Sequence, residues 1–147
     1  MENSETHRIL IADDVAANCE LLEAYLANID CETELAVDGN EAMEKVASFK
    51  PDLVLLDVMM PKLSGFEVCQ KIKSDPQTSS VMVLMVTALN ELGDIERAIE
   101  AGTNDFLSKP VNRVELTKRV ENLLKLKGVT DENERLRQYI QQMEGDK

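Results

Sequence analysis

Apolar runs and amphipathic stretches alternate five times along the chain. The runs Arg8–Ala12, Thr33–Val37, Leu53–Leu56, Val81–Val86 and Asp105–Ser108 read as strands. The first, third and fourth are almost wholly apolar, the pattern of strands covered on both faces. Thr33–Val37 is more polar and predicts an edge strand. Between the runs, Val15, Cys19, Leu22, Leu26 and Ile29 recur at helical spacing and predict one buried stripe. Met43, Val46 and Ala47 predict a second, Phe66, Cys69 and Ile72 a third, and Ile95, Ala98 and Ile99 a fourth. Leu116, Val120, Leu123 and Leu124 make the fifth. Asp38 with Glu41, Ser64 with Glu67 and Asn112 with Glu115 have capping-box spacing, while Gly39, Pro51 and Gly102 punctuate the connections. Strands alternating with helices of this length predict an α/β fold, a parallel sheet with helices on both faces.

The end of the chain follows a different pattern. Leu126, Val129, Asn133, Leu136, Ile140 and Met143 repeat at alternating spacings of three and four, a heptad seam with one Asn. We therefore divide the chain into a globular domain over residues 1–126 and a helical extension over 127–147, a candidate coiled-coil linker. A polar helix that frays, or one that folds back on the domain, is the plainer alternative. Gly128 weakens the junction. A lone Asn in an apolar seam is the device by which a parallel two-stranded coil sets its register, which favours dimerisation.

At 147 residues the chain suits one domain with a tail, large enough to bury a core without disulfides. Sixteen basic against 28 acidic residues give a net charge of -12, which repels polyanions and argues against direct nucleic-acid binding. Cys19, Cys31 and Cys69 are odd in number and widely spaced, suiting a reducing compartment and small buried side chains. His7 is the sole histidine, which gives a His-based triad, a His-metal cluster or a phosphohistidine relay within the chain little to work with. Neither a signal peptide nor an apolar run of membrane-spanning length is visible, and the expected location is cytoplasmic, away from membrane.

Parallel α/β sheets carry their sites beyond the carboxyl ends of the strands. Here the first strand ends in Asp13-Asp14, the third in Asp57, the fourth in Thr87-Ala88 and the fifth in Lys109-Pro110. Three carboxylates, a hydroxyl and an ammonium would meet on one rim. Clustered carboxylates repel unless a cation compensates. An oxygen-only ligand set selects a hard divalent ion such as Mg²⁺, which bridges to phosphate oxygens. Lys109 and Thr87 suit a tetrahedral oxyanion, and a free carboxylate beside them suits phosphoryl transfer to Asp. Helix capping accounts for any one strand-end carboxylate but not for all five residues together.

Asp13-Asp14, Asp57 with Met59-Met60-Pro61 and Gly65, Thr87-Ala88, and Phe106-Leu107-Ser108-Lys109-Pro110 resemble the receiver domain of two-component response regulators, over roughly residues 7 to 126. The resemblance implies a flavodoxin-like doubly wound (βα)5 fold with strand order 2-1-3-4-5. It implies that Asp57 accepts a phosphoryl group from the phosphohistidine of a sensor histidine kinase or histidine phosphotransfer protein, or from a small donor such as acetyl phosphate. It also implies Mg²⁺, with Mn²⁺ as a substitute, held by Asp14, Asp57 and the Met59 backbone carbonyl, with Asp13 acting largely through water. Lys109 and Thr87 would bind the phosphoryl oxygens, Ala88 would stay small, and Lys109-Pro110 would be a cis peptide. Thr87 and Phe106 would act as switch residues reshaping the face of helix 4, strand 5 and helix 5, and a homodimer would form through that face, through the terminal helix, or through both. Kinase specificity would lie on the first helix, from Ala16 to Leu22. Such a domain is a phosphorylatable signalling module rather than a conventional enzyme.

Met59 and Leu89 stand two residues beyond Asp57 and Thr87, positions that in the family the chain resembles flank the line of attack by water; both are apolar and cannot orient that water, so slow dephosphorylation is expected. A haloacid-dehalogenase-type phosphatase needs a second carboxylate two residues after its Asp nucleophile, where this chain has Met59. A flavin site would need a Ser/Thr/Gly loop where the chain has Asp13-Asp14-Val15, and a non-phosphorylatable pseudo-receiver would lack an acid or the lysine. The output is open between a free-standing receiver and the amino-terminal part of a cyclic-di-GMP-type effector, whose connecting helices the tail resembles.

Overall fold

A computed structural model describes residues 6–89 and 91–145. The elements are β1 (His7–Ala12), α1 (Ala16–Tyr25), β2 (Cys31–Ala36), α2 (Gly39–Phe49), β3 (Leu53–Leu56), α3 (Gly65–Ser74), β4 (Met82–Thr87), α4 (Leu92–Ala101), β5 (Asp105–Ser108) and α5 (Arg113–Gly145). The five strands form one parallel sheet in the order β2-β1-β3-β4-β5. This is the flavodoxin-like arrangement, with the strand order reversing between β1 and β3.

Strand alternation sorts the apolar residues onto two cores. Ile9, Ile11, Leu53, Leu55, Leu84 and Val86 pack with Cys19, Leu22, Leu116 and Val120, the side covered by α1 and α5. Leu10, Ala12, Val54, Leu56, Val83 and Met85 pack with Ala42, Val46, Cys69, Ile72 and Ala98, the side covered by α2, α3 and α4. The near-continuous apolar runs are therefore central strands. β2, with its half-exposed residues, lies at one edge of the sheet.

Three helical stripes differ from the pattern read in the sequence. Val15 is exposed because it is the extended residue before α1, so burial on that helix begins at Cys19. On α2 the buried line is Gly39, Ala42 and Val46, leaving Met43 half-buried and Ala47 outside. On α4 only Ala98 is buried, while Leu92 and Ile99 are 72% and 67% exposed. α4 packs mainly against α3, reaching the core cluster through Ala98, with Ile95 half-buried and Leu92 and Ile99 facing outward.

All three capping side chains accept from the amide their spacing predicts, but of these pairs only Ser64–Glu67 closes into a reciprocal box. Asp38 accepts from the Glu41 amide at 2.8 Å, Ser64 and Glu67 form a reciprocal box, and Asn112 accepts from the Glu115 amide at 3.1 Å.

α5 is one helix of 33 residues, continuous through Gly128. Its first turns are buried at Leu116, Val120, Leu123 and Leu124. Beyond them Leu126, Val129, Leu136, Ile140 and Met143 are between 52% and 56% exposed, so the described part of the heptad seam faces solvent. The Asn133 side chain lies outside the described residues. Among the described residues, no helix is long and apolar enough to cross a membrane.

The three cysteines are free, with Cys19 and Cys69 buried and Cys31 half-buried. Burial raises the Cys69 thiol from 9.0 to about 11, against a smaller opposing effect of Lys73. A thiol with a raised folded-state value keeps its proton while the unfolded chain loses one. Its contribution to stability is therefore complete below pH 9.0 and is lost as the pH rises toward 11. The loss over that window is about 2–3 kcal/mol. Urea unfolding of the parent and of Cys69→Ala at a series of pH values should show a flatter alkaline slope in the variant. Equal slopes would mean that Cys69 is not the group responsible.

Candidate functional site

Backbone hydrogen bonds continue the sheet one step past the strand ends and so align the acidic residues. The Asp13 amide donates to the Ala36 carbonyl at 3.0 Å and the Asp57 amide to the Ala12 carbonyl at 2.9 Å. The Lys109 amide donates to the Thr87 carbonyl at 2.9 Å. The carboxylates of Asp13, Asp14 and Asp57 each offer an oxygen, and these oxygens lie within 4.8 Å of one another. Asp13 and Asp57 are 1% and 7% exposed, whereas Asp14 faces solvent at the rim. Lys109 crosses from the far side of the sheet, donating from Nζ to Asp13 Oδ2 at 2.7 Å and to Asp57 Oδ2 at 2.9 Å. Burial opposes its charge, but the hydrogen bonds to Asp13 and Asp57 together with the charges of those carboxylates outweigh burial and hold the ammonium above its ordinary value. The Lys109–Pro110 peptide is cis.

Asp57 is also oriented from its own loop, since its Oδ1 accepts from the Met59 amide at 3.1 Å. The Met59 side chain itself is exposed. Thr87 is fully buried at the end of β4, and its hydroxyl accepts from the Leu89 amide at 3.3 Å. Phe106 is half-buried and packs against the α2/α3/α4 core. The β4–β5 register pairs Met85 with Phe106 and Thr87 with Ser108, which makes Thr87 and Phe106 diagonal neighbours on one face of the sheet.

Two residues around Asp13 were not singled out in the sequence for this site. Asn18 Nδ2 donates to Asp13 Oδ2 at 3.3 Å, and the Cys19 thiol donates to the Asp13 carbonyl at 3.3 Å. The first turn of α1 thus braces the carboxylate from behind. An amide side chain five positions after the acid, in the first turn of its helix, was the available signal.

One ammonium beside three carboxylates leaves two negative charges uncompensated. At about 4 Å and an effective dielectric near 20, each like pair costs roughly 4 kcal/mol. All donors facing the cluster are hard oxygens, with neither imidazole nor thiolate among the described residues that form it. That set fits a hard divalent cation such as Mg²⁺. With such an ion in place, an oxygen of Asp57 would have cationic groups on two sides of it, an arrangement suited to an incoming phosphoryl group.

Comparison with known proteins agrees with this geometry. Over 125 residues the chain is 46% identical to the response regulator PleD of Caulobacter vibrioides, covering 85% of this chain and 28% of PleD. It is 38% identical over 118 residues to the DNA-binding dual master transcriptional regulator RpaA of Synechocystis, covering 80% of this chain and 49% of that protein. The chain therefore spans half or less of the length of these relatives. Among solved structures, a CheY-like response regulator receiver domain protein from Methanospirillum hungatei matches with a TM-score of 0.80 and 25% identity, over 86% of this chain and 99% of that one. The receiver domain of the sensor histidine kinase PA1611 from Pseudomonas aeruginosa, solved with a magnesium ion coordinated in its active-site cleft, matches with a TM-score of 0.75 and 28% identity, over 82% and 99% of the two chains. The response regulator receiver domain model matches residues 9–121, and the chain belongs to that family of two-component signalling domains.

Proposed function

We propose that Asp57 is the phosphoacceptor of this receiver and that its phosphorylation requires Mg²⁺. The observation that carries this is the Asp57 carboxylate itself, buried at the rim, within 4.8 Å of Asp13 and Asp14 oxygens and 2.9 Å from Lys109. Asp14, Asp57 and the Met59 carbonyl would hold the ion, with Asp13 acting largely through water. Bound there, it would neutralise charge on the transferring phosphoryl oxygens. A carboxylate oxygen of Asp57 attacks phosphorus, the bond from phosphorus to the donor's nitrogen or oxygen breaks, and the donor leaves with that electron pair. Lys109 exchanges its contact with Asp57 for one with a phosphoryl oxygen. Thr87 gives up the Leu89 amide and donates its hydroxyl to another, and Phe106 follows on the same face of the sheet.

The donor is the phosphohistidine of a sensor kinase or phosphotransfer protein. A groove of about 470 Å³ beside the site supports this docking. It is lined by Asn18, Leu21, Leu22 and Tyr25 of α1 and by Lys109, Pro110 and Val111. Self-association through the exposed α5 seam, with or without the α4–β5–α5 face, is the proposed output. A second reading, the receiver part of a longer cyclic-di-GMP-type effector, is favoured by one observation: the segment matched in PleD is only 28% of that protein.

Intact mass after incubation with acetyl phosphate tests the chemistry. A gain of one phosphoryl group is expected with Mg²⁺ and is expected to vanish in EDTA and in Asp57→Asn. Labelling of Asp57→Asn to the same extent would exclude Asp57 as the acceptor. The labelled protein, desalted and followed over time, should lose its phosphoryl group slowly, because Met59 and Leu89 offer no polar group to a hydrolytic water. Complete decay within seconds would refute that expectation.

A further inference from the structure

The β3–α3 loop, which carries the Met59 carbonyl, is gripped from behind by the start of α2. Within the loop the Met60 amide donates to the Val58 carbonyl at 3.1 Å, the Leu63 amide to Pro61 at 2.8 Å and the Gly65 amide to Val58 at 2.9 Å. From outside, the Gly39 amide donates to the Pro61 carbonyl at 3.4 Å. Lys62 Nζ lies 3.5 Å from Asp38 Oδ2, on a residue whose backbone takes the left-handed φ of 72°. Asp38 is itself locked by capping α2 through the Glu41 amide. The approach at Gly39 is so close that a Cβ there would overlap the Leu63 carbonyl oxygen and Cβ and stand 2.8 Å from its carbonyl carbon. At the other end of the loop, a Cβ on Gly65 would overlap the Asp57 carbonyl oxygen and stand 2.6 Å from the Val58 Cα.

A side-chain ligand can adjust by changing rotamer, but a backbone carbonyl moves only if the chain moves. We propose that Gly39 is a positioning residue for the cation site. By lacking a side chain it lets the capped end of α2 act as a backstop for residues 61–63, and that backstop sets where the Met59 carbonyl stands. This rests on the reading of Asp13, Asp14, Asp57 and Met59 as a Mg²⁺ site. Mg²⁺ demands near-ideal octahedral geometry at about 2.1 Å, whereas Ca²⁺ accepts longer and irregular coordination. A displaced carbonyl therefore penalises Mg²⁺ more than Ca²⁺.

Calorimetric titration of the full chain with each cation tests this, with Gly39→Ala set beside Gly93→Ala, where an added Cβ meets nothing within 4 Å. Gly39→Ala is expected to weaken Mg²⁺ binding roughly tenfold, the scale on which supporting residues act at metal sites, and Ca²⁺ binding distinctly less. Gly93→Ala should match the parent for both cations. Unchanged Mg²⁺ affinity in Gly39→Ala, equal losses for the two cations, or the same loss in Gly93→Ala would overturn the proposal. Should Gly39→Ala fail to fold by circular dichroism, Lys62→Gly decides. It keeps the left-handed backbone and cuts the tether to Asp38, so weaker Mg²⁺ binding with unchanged Ca²⁺ binding supports the backstop and parent-like binding of both overturns it. A parent chain that takes up no Mg²⁺ would overturn the reading of the acidic site itself, an outcome distinct from any difference between variants.

Discussion

Replacing Lys109 by alanine is expected to lower the stability of the metal-free protein by about 3 kcal/mol at neutral pH, the lower end of the cost of removing one partner from a buried ion pair. Asp13 and Asp57 are both buried, and the Lys109 ammonium is the cation that their side chains contact. Without it, the two buried carboxylates face each other with neither making a side-chain ion pair to another cation among the described residues. The Lys109 side chain is 22% exposed, so water screens part of the interaction, which places the estimate at the lower end. Mg²⁺ should restore much of the loss by supplying the missing positive charge, since a ligand bound only to the folded state stabilises it by mass action. The variant should also bind Mg²⁺ more tightly than the parent, because its acidic cluster has lost an internal competitor. Urea denaturation in EDTA and in millimolar Mg²⁺, for both proteins, measures this. A loss of stability that Mg²⁺ does not reduce would place the role of Lys109 in the packing of its aliphatic stem.

The second large effect is expected at the far end of the molecule. The joint substitution Leu136→Lys and Ile140→Lys should abolish self-association, read as a fall in mass by light scattering from dimer to monomer. Both residues are more than half exposed, as are Leu126, Val129 and Met143 along the same seam. An apolar seam interrupted only by Asn133, on a helix extending about 30 Å beyond Leu124, gains stability in water when a partner covers it. The substitutions should leave unfolding of the globular part within about 0.5 kcal/mol of the parent, as surface changes do. A parent that is already monomeric would end the proposal. Loss of the dimer in Leu92→Lys with Ile99→Lys, but not in the tail variant, would move the interface to the outward face of α4.

The rim chemistry and the helix seam differ in how legible they were. Asp13, Asp14, Asp57, Thr87 and Lys109 could be gathered from the chain because each follows an apolar run, and parallel strands present their carboxyl ends on one side of a sheet. The central strands were visible for a related reason. Leu53–Leu56 and Val81–Val86 carry almost no polar residue, and only a strand covered on both faces tolerates that. The four residues of the fifth stripe, Leu116, Val120, Leu123 and Leu124, were also placed correctly, because their face meets the apolar sheet.

Helix phase at the margins was not legible. Val15, Ala47 and Ile99 are apolar and sit at helical spacing, yet all three are exposed. Spacing records which residues share a face, whereas the depth to which that face sinks depends on the neighbour. α4 packs mainly against α3, which buries Ala98 and leaves Ile99 outside.

The pattern of apolar runs and the capping residues set the α/β fold class from the chain alone, and the strand-end residues gathered the candidate site, since each follows from local spacing or from a general rule of parallel sheets; the strand order and the acceptor role proposed for Asp57 came from the family resemblance. The three-dimensional structure decided what depends on contacts between residues distant in sequence. It joined Lys109 to both Asp13 and Asp57, turned Asn18 and Cys19 back onto Asp13, and carried α5 through Gly128 without a break. It also pressed Gly39 against Leu63. A glycine selected for the space it leaves has no periodicity and no charge, and its role appears only when the backbone it accommodates is in place.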